Sequence, residues 1–128
     1  MVRPSIKPIS VLLVDDHEIV REGLRMVLSR QGGINVVGEA ATVTDALAES
    51  CRLQPDVVLM DVRLPGGSGM DACRAIRSSC PDTRVLFLSS YEDNEAVLAA
   101  VVGGASGYLL KQINGEGLAR AIHAVAQG

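Results

Sequence analysis

Val57-Val58-Leu59-Met60-Asp61-Val62-Arg63-Leu64-Pro65-Gly66-Gly67-Ser68-Gly69 carries four apolar residues straight into a lone carboxylate and then into a Pro/Gly-rich turn. A short apolar run bounded by turn signals predicts a strand covered on both faces. Asp61 then stands at the carboxyl end of that strand, where the backbone leaves the sheet. In open α/β sheets this rim is where ligands bind and chemistry occurs.

The same pattern recurs on either side. Val11-Leu12-Leu13-Val14 predicts a first buried strand ending in Asp15-Asp16. A helix follows with Val20, Leu24, Val27 and Leu28 on one face, stopped by Gly32-Gly33. Residues 34–38 form a shorter second strand. Thr42-Val43-Thr44-Asp45 has the form of a capping box and opens a helix whose stripe is Val43, Ala46, Leu47, Ser50 and Cys51. Pro55 closes it, and residues 56–60 make the third strand. Ser68-Gly69-Met70-Asp71 caps a helix carrying Cys73 and Ile76. Arg84-Val85-Leu86-Phe87-Leu88 is a fourth strand ending at Ser89-Ser90, and Asp93 caps a helix of small residues over 93–102. Residues 107–110 form a fifth strand ending at Lys111. The last helix presents Leu118, Ala121, Ile122 and Val125 on one face.

Five strands alternating with five helices predict right-handed βαβ units in a doubly wound parallel sheet. The common order for such a sheet is 2-1-3-4-5, with a switch point between strands 1 and 3. Those two strands end in Asp15-Asp16 and in Asp61. Strand 4 adds the Ser89 hydroxyl and strand 5 the Lys111 ammonium. Three crowded carboxylates repel one another and raise at least one pKa unless a cation joins them. Mg²⁺ suits the gap, because it binds one or two carboxylates and keeps room for phosphate oxygens. Lys111 stands out by composition: of twelve basic residues only Lys7 and Lys111 are lysines. A compact point charge fits contact with a phosphoryl oxygen or a carboxylate. The residues thus point to Asp61 as a phosphoryl acceptor. Any one of them alone would be ordinary: an Asp near a helix start complements the helix dipole, and serines are common in turns.

Composition narrows the alternatives. At 128 residues the chain is one domain, able to bury a core without staples. A net charge of −3 argues against direct nucleic-acid binding, which needs a basic face. Phe87, Tyr91 and Tyr108 are the only aromatics, too few for a stacking platform. Cys51, Cys73 and Cys80 contain no C-x-x-C pair and are expected as small buried hydrophobes. Gly66-Gly67-Ser68-Gly69 is not followed by Gly-Lys-Ser/Thr and is no nucleotide P-loop. His17-Glu18 lacks the second histidine of a zinc helix, and His123 is expected on the exposed side of the last helix. No signal peptide or spanning segment is visible, so no membrane partner and a cytoplasmic location are expected. Residues 1–9, with Pro4 and Pro8, are expected as a flexible tail before a domain over 10–128.

Val-Asp-Asp-His at 14–17, Met-Asp-Val-Arg-Leu-Pro-Gly-Gly-Ser-Gly at 60–69, Leu-Ser-Ser at 88–90 and Gly-Ala-Ser-Gly-Tyr-Leu-Leu-Lys at 104–111 complete a set. In combination they resemble the receiver domain of bacterial two-component response regulators of the NarL/FixJ (LuxR-type) transcription-factor family, from about Val11 onward. The resemblance implies a flavodoxin-like (βα)5 fold with Asp61 as phosphoacceptor. It implies Mg²⁺ held directly by Asp16, Asp61 and the backbone carbonyl of Arg63, with Asp15 acting through a metal-bound water. It also implies Lys111 paired with the acceptor, Ser89 bonding the phosphoryl group after transfer, and Tyr108 changing rotamer with it. The implied partners are a cognate sensor histidine kinase, the protein's own helix-turn-helix output domain, and a second copy on phosphorylation. DNA is implied only through that output domain, expected beyond residue 128 and absent from this chain. Catalysis would be confined to the domain's own phosphoryl transfer and autodephosphorylation.

Two positions depart from the commonest receiver pattern: Ser89 stands where Thr is frequent, and Gln112 where proline often follows the lysine. A cis bond after Lys111 would cost several kcal/mol without proline. The side chain of Arg63 could hang over the site and modulate hydrolysis. Three rivals remain on the residues alone: a metal-dependent phosphatase, a flavin or nucleotide binder on the same fold, and an interaction module that takes no phosphate. The first usually has Asp-x-Asp on strand 1, the second lacks aromatic partners here, and the third would not need the complete set of site residues.

Overall fold

A computed structural model describes residues 7–65, 67–89 and 104–128. In chain order the elements are β1 (Ile9–Val14), α1 (Glu18–Ser29), β2 (Ile34–Ala40), α2 (Val43–Leu53), β3 (Val57–Asp61), β4 (Arg63–Leu64), β5 (Gly67–Ser68), α3 (Gly69–Ser79), β6 (Arg84–Ser89), β7 (Gly107–Leu110) and α4 (Gly115–Ala126). Five strands form one parallel sheet in the order β2-β1-β3-β6-β7, so its strands stand second, first, third, fourth and fifth by chain order. β1 and β3 are neighbours, and the direction of winding reverses between them.

Strand periodicity explains the two-layer core. Leu12, Val14, Val58, Met60, Val85 and Phe87 face α2 and α3, where they pack with Ala46, Ala72, Cys73 and Ile76. The alternate residues Val11, Leu13, Val57, Leu59, Leu86 and Leu88 face α1 and α4 and pack with Leu28, Leu118 and Ile122. Because both faces are covered, Val11–Val14, Val57–Met60 and Val85–Leu88 are apolar at every position, which is why they read as unbroken runs. The helix ends follow local chemistry. Thr42 Oγ1 accepts from the Asp45 amide at 3.1 Å, and Asn114 Oδ1 accepts from the Gly117 amide at 2.7 Å. Arg21 and Arg25 both reach Glu39 at 2.9 Å and tie α1 to β2.

Several expectations shift. β1 starts at Ile9, two residues early, because the Ile9 amide finds the Gly33 carbonyl at 2.8 Å. β3 includes Asp61 itself. The turn after it holds a small antiparallel hairpin, with Arg63 opposite Ser68 and Leu64 opposite Gly67. Two-residue strands are too short to leave a periodic signal. Cys73 and Cys80 are buried as expected, but Cys51 is exposed, a correction to its place on the buried stripe of α2. His123 is half-buried rather than exposed, its Nε2 3.2 Å from the Gly32 carbonyl oxygen. No peptide bond among the described residues is cis, Lys111–Gln112 included. The helix expected over 93–102 and Ser90 lie outside the described residues.

Candidate functional site

Parallel register brings the strand ends to one rim. Val14 pairs with Met60, so Asp15 follows β1 beside Asp61, the last residue of β3. Asp61 pairs with Leu88, which sets Ser89 one residue further along β6. Ser89 pairs with Leu110, and its carbonyl accepts from the Lys111 amide at 2.9 Å. Four strands thus deliver their terminal residues to the crevice where the winding reverses, as a doubly wound sheet requires.

Ligand atoms from Asp15, Asp16, His17 and Asp61 all lie within 4.8 Å of one another, a group that could hold a metal ion. Asp15 and Asp61 are buried, whereas Asp16 and His17 are exposed. Lys111 Nζ meets Asp61 Oδ2 at 3.1 Å. The other carboxylate oxygen, Oδ1, accepts from the Arg63 amide at 3.2 Å, and Arg63 is exposed. Ser89 is fully buried. Tyr108 lies on β7 opposite Phe87 with nearly half of its surface exposed. The sequence-predicted carboxylates and lysine therefore meet, with Ser89 on the adjoining strand and Tyr108 on the edge strand.

The electrostatics refine one expectation. Burial pushes the Asp61 carboxyl above the usual aspartate range, against the Arg63 amide and the Lys111 ammonium, which pull it down. The Asp15 charge adds a smaller upward push. One carboxylate is raised as the crowding argument requires, but desolvation is the larger cause.

His17, placed by the sequence at the rim beside the helix start, is one residue to which sequence reasoning assigned no chemistry. It stands at the N-cap of α1, where its amide donates to Asp15 Oδ1 at 2.8 Å. Its Nδ1 lies 3.0 Å from both Asp15 Oδ1 and Asp16 Oδ1. Its sequence position directly after the acidic pair was the available signal. Gly69 is the second such residue. A Cβ there would lie 2.6 Å from the Asp61 carbonyl oxygen, 2.7 Å from that of Val62 and 2.9 Å from Phe87 Cε1. Only glycine lets α3 start this close to the end of β3. Three carboxylates supply hard oxygen donors, which suit a hard divalent cation better than a soft one.

Residues 11–123 match the family described as the response regulator receiver domain. The chain is 48% identical over 120 residues to the DNA-binding transcriptional activator DevR/DosR of Mycobacterium tuberculosis, covering 94% of this chain and 55% of that protein. It is 42% identical over 120 residues to the transcriptional regulatory protein YxjL of Bacillus subtilis, with the same coverage of 94% and 55%. The chain thus spans about half the length of these relatives. The solved signal receiver domain of NarL from Mycobacterium tuberculosis superposes with a TM-score of 0.90 at 38% identity, covering 95% of this chain and 98% of that one. A LuxR-family two-component response regulator from Aurantimonas sp. SI85-9A1 superposes at 0.88, also at 38% identity, covering 95% and 87%.

Proposed function

This chain belongs to the response regulator receiver domain family, and from that membership we propose that Asp61 takes a phosphoryl group from a cognate sensor histidine kinase. As a LuxR/NarL-type receiver domain, the chain is a regulatory unit and not a classical enzyme. The observation that carries the site assignment is the 3.1 Å contact of Lys111 Nζ with Asp61 Oδ2, beside two further carboxylates at the switch point.

Asp16, Asp61 and the Arg63 carbonyl would hold Mg²⁺ directly, with Asp15 acting through a water. When bound, the ion supplies positive charge against the phosphoryl oxygens, which suits the loose transition state of phosphoryl transfer. An Asp61 carboxylate oxygen attacks phosphorus in line, and the P–N bond to the kinase histidine breaks as the new P–O bond forms. Lys111 balances the charge on the transferred group. Ser89 then donates its hydroxyl to a phosphoryl oxygen, and Tyr108 changes rotamer. Ser89 and Lys111 are already joined through backbone, so a shift at one reaches the other. This biases the surface of β7 and α4 between two states. Autodephosphorylation resets the switch: water attacks phosphorus of the Asp61 acyl phosphate, the P–O bond to the carboxylate breaks, and inorganic phosphate leaves.

Residues 10–128 would form the receiver unit behind a short tail over 1–9. In the whole regulator this unit would control a helix-turn-helix output domain that binds DNA, with homodimerisation following phosphorylation. The greater length of its transcription-regulating relatives supports that arrangement. Among the described residues no helix is long and apolar enough to cross a membrane. Membership of the receiver domain family supports phosphotransfer in the cytoplasm. Incubation with acetyl phosphate and Mg²⁺ should add a single phosphate, seen by intact mass, which Asp61→Asn abolishes. Labelling that persists in the variant overturns the assignment.

A further inference from the structure

Cys51 and Cys80 stand 29 positions apart in sequence, yet their sulfurs lie 3.6 Å from each other. Cys51 rides on the last turns of α2 and is exposed, while Cys80 directly follows α3 and is buried. The two helices pack side by side on one face of the sheet, so tertiary structure brings the thiols together. We propose that Cys51 and Cys80 are a redox-sensitive modification site that closes to a reversible disulfide in the presence of a peroxide. The proposal does not depend on the phosphoacceptor assignment.

Three features support it. Cys80 is held in place: its amide donates to the Ile76 carbonyl at 2.7 Å and its carbonyl accepts from the Thr83 amide at 3.0 Å. Cys51 is the accessible member, and closing the 3.6 Å gap to an S–S bond of about 2.05 Å needs a movement of about 1.5 Å. Gln54 roofs the pair, its Nε2 donating to the Cys51 carbonyl at 3.1 Å and lying 3.9 Å from Cys80 Sγ. Burial pushes the Cys80 thiol up, which leaves exposed Cys51 as the first sulfur to react.

The chemistry balances with hydrogen peroxide as oxidant. The Cys51 sulfur attacks one peroxide oxygen, the O–O bond breaks, and Cys51 sulfenic acid and one water form. The Cys80 sulfur then attacks the Cys51 sulfur, the S–O bond breaks, and the hydroxyl leaves with the Cys80 proton as a second water. The two thiols lose two electrons, which the peroxide gains. A small-molecule dithiol reverses the step by exchange. The closed loop contains β3, Asp61 and α3, so the bond fastens the acceptor segment to α2 and restricts the unfolded chain.

The 128-residue chain, treated with dilute hydrogen peroxide under native conditions, should lose two of its three free thiols. A non-reducing digest should yield a Cys51–Cys80 linked peptide, and dithiothreitol should restore all three. Against a glutathione buffer, the disulfide should form at least about tenfold more favourably in the folded chain than in concentrated guanidinium. Its melting temperature should rise by roughly 5 to 10 °C. Cys51→Ser, at an exposed position, should abolish the linkage and keep a native circular dichroism spectrum, whereas Cys73→Ala should retain the linkage. The proposal is overturned if Cys51 stops at a sulfinic acid or a glutathione adduct while Cys80 stays free. A Cys51–Cys51 dimer, or equal preference in folded and unfolded chains, overturns it as well.

Discussion

A carboxylate buried at the end of β3 opposes folding whenever it is ionised, and Asp61 is in that position. Its folded pKa is raised above the ordinary 3.8, chiefly by burial. The folded state therefore binds the Asp61 proton more tightly than the unfolded state does. Between 3.8 and the raised folded value, rising pH removes stability, and above that window the ionised group carries the full penalty. Asp61→Asn should thus stabilise the metal-free domain near neutral pH, by on the order of 1 kcal/mol, since a neutral isostere relieves a buried charge. Thermal melts of both proteins across pH test this. The gap should be largest near neutrality and shrink to nothing below the window. A variant that melts lower than the parent at neutral pH contradicts it. At this scale the sequence named Asp61, Asp16, Asp15 and Lys111 from residue type and strand-end position alone. It assigned His17 no chemistry, because a lone histidine without a spaced second ligand is a weak signal even beside an acidic pair.

α3 begins against the backbone of β3, and Gly69 is the residue that permits it. The Gly69 amide donates to the Val62 carbonyl at 2.8 Å, which ties the helix start to the chain just after Asp61. Gly69→Ala places a methyl against two carbonyl oxygens that belong to backbone and cannot swing aside. We expect a loss of roughly 1–3 kcal/mol in urea denaturation and slower labelling by acetyl phosphate, because Asp61 must move with its carbonyl. Unchanged stability and labelling would show that the loop yields freely. Elements were well read where periodicity ran for a full helix or a buried strand, as in α1, α2 and β6. The hairpin of β4 and β5 was not, since its four residues pair only because the turn between them folds back.

Across the whole molecule, a metal ion held by the clustered carboxylates would tie folding to metal occupancy. A cation that binds only the folded site stabilises it by mass action, about 2.7 kcal/mol at a hundredfold excess over its dissociation constant. Titrating Mg²⁺ should raise the melting temperature progressively, and a chelator should reverse the gain. Asp16→Asn combined with Asp61→Asn should flatten the response, whereas an equal Mg²⁺ effect in that double variant would place the ion elsewhere. Lys111 stands 3.1 Å from Asp61 and supplies the cation already present at the site.

Alternating apolar runs and capped helices specify the doubly wound sheet, because local periodicity and burial of both strand faces admit few other arrangements. That order in turn specifies which strand ends meet, so the crevice where the carboxylates and Lys111 gather was foreseeable from the chain. Contact between side chains arriving from separate helices was not. Cys51 was assigned to a buried stripe on helical spacing, yet it lies at the solvent edge against Cys80. Spacing along one helix sets which residues share a face, but only the packing of α2 beside α3 sets where that face ends and what it touches.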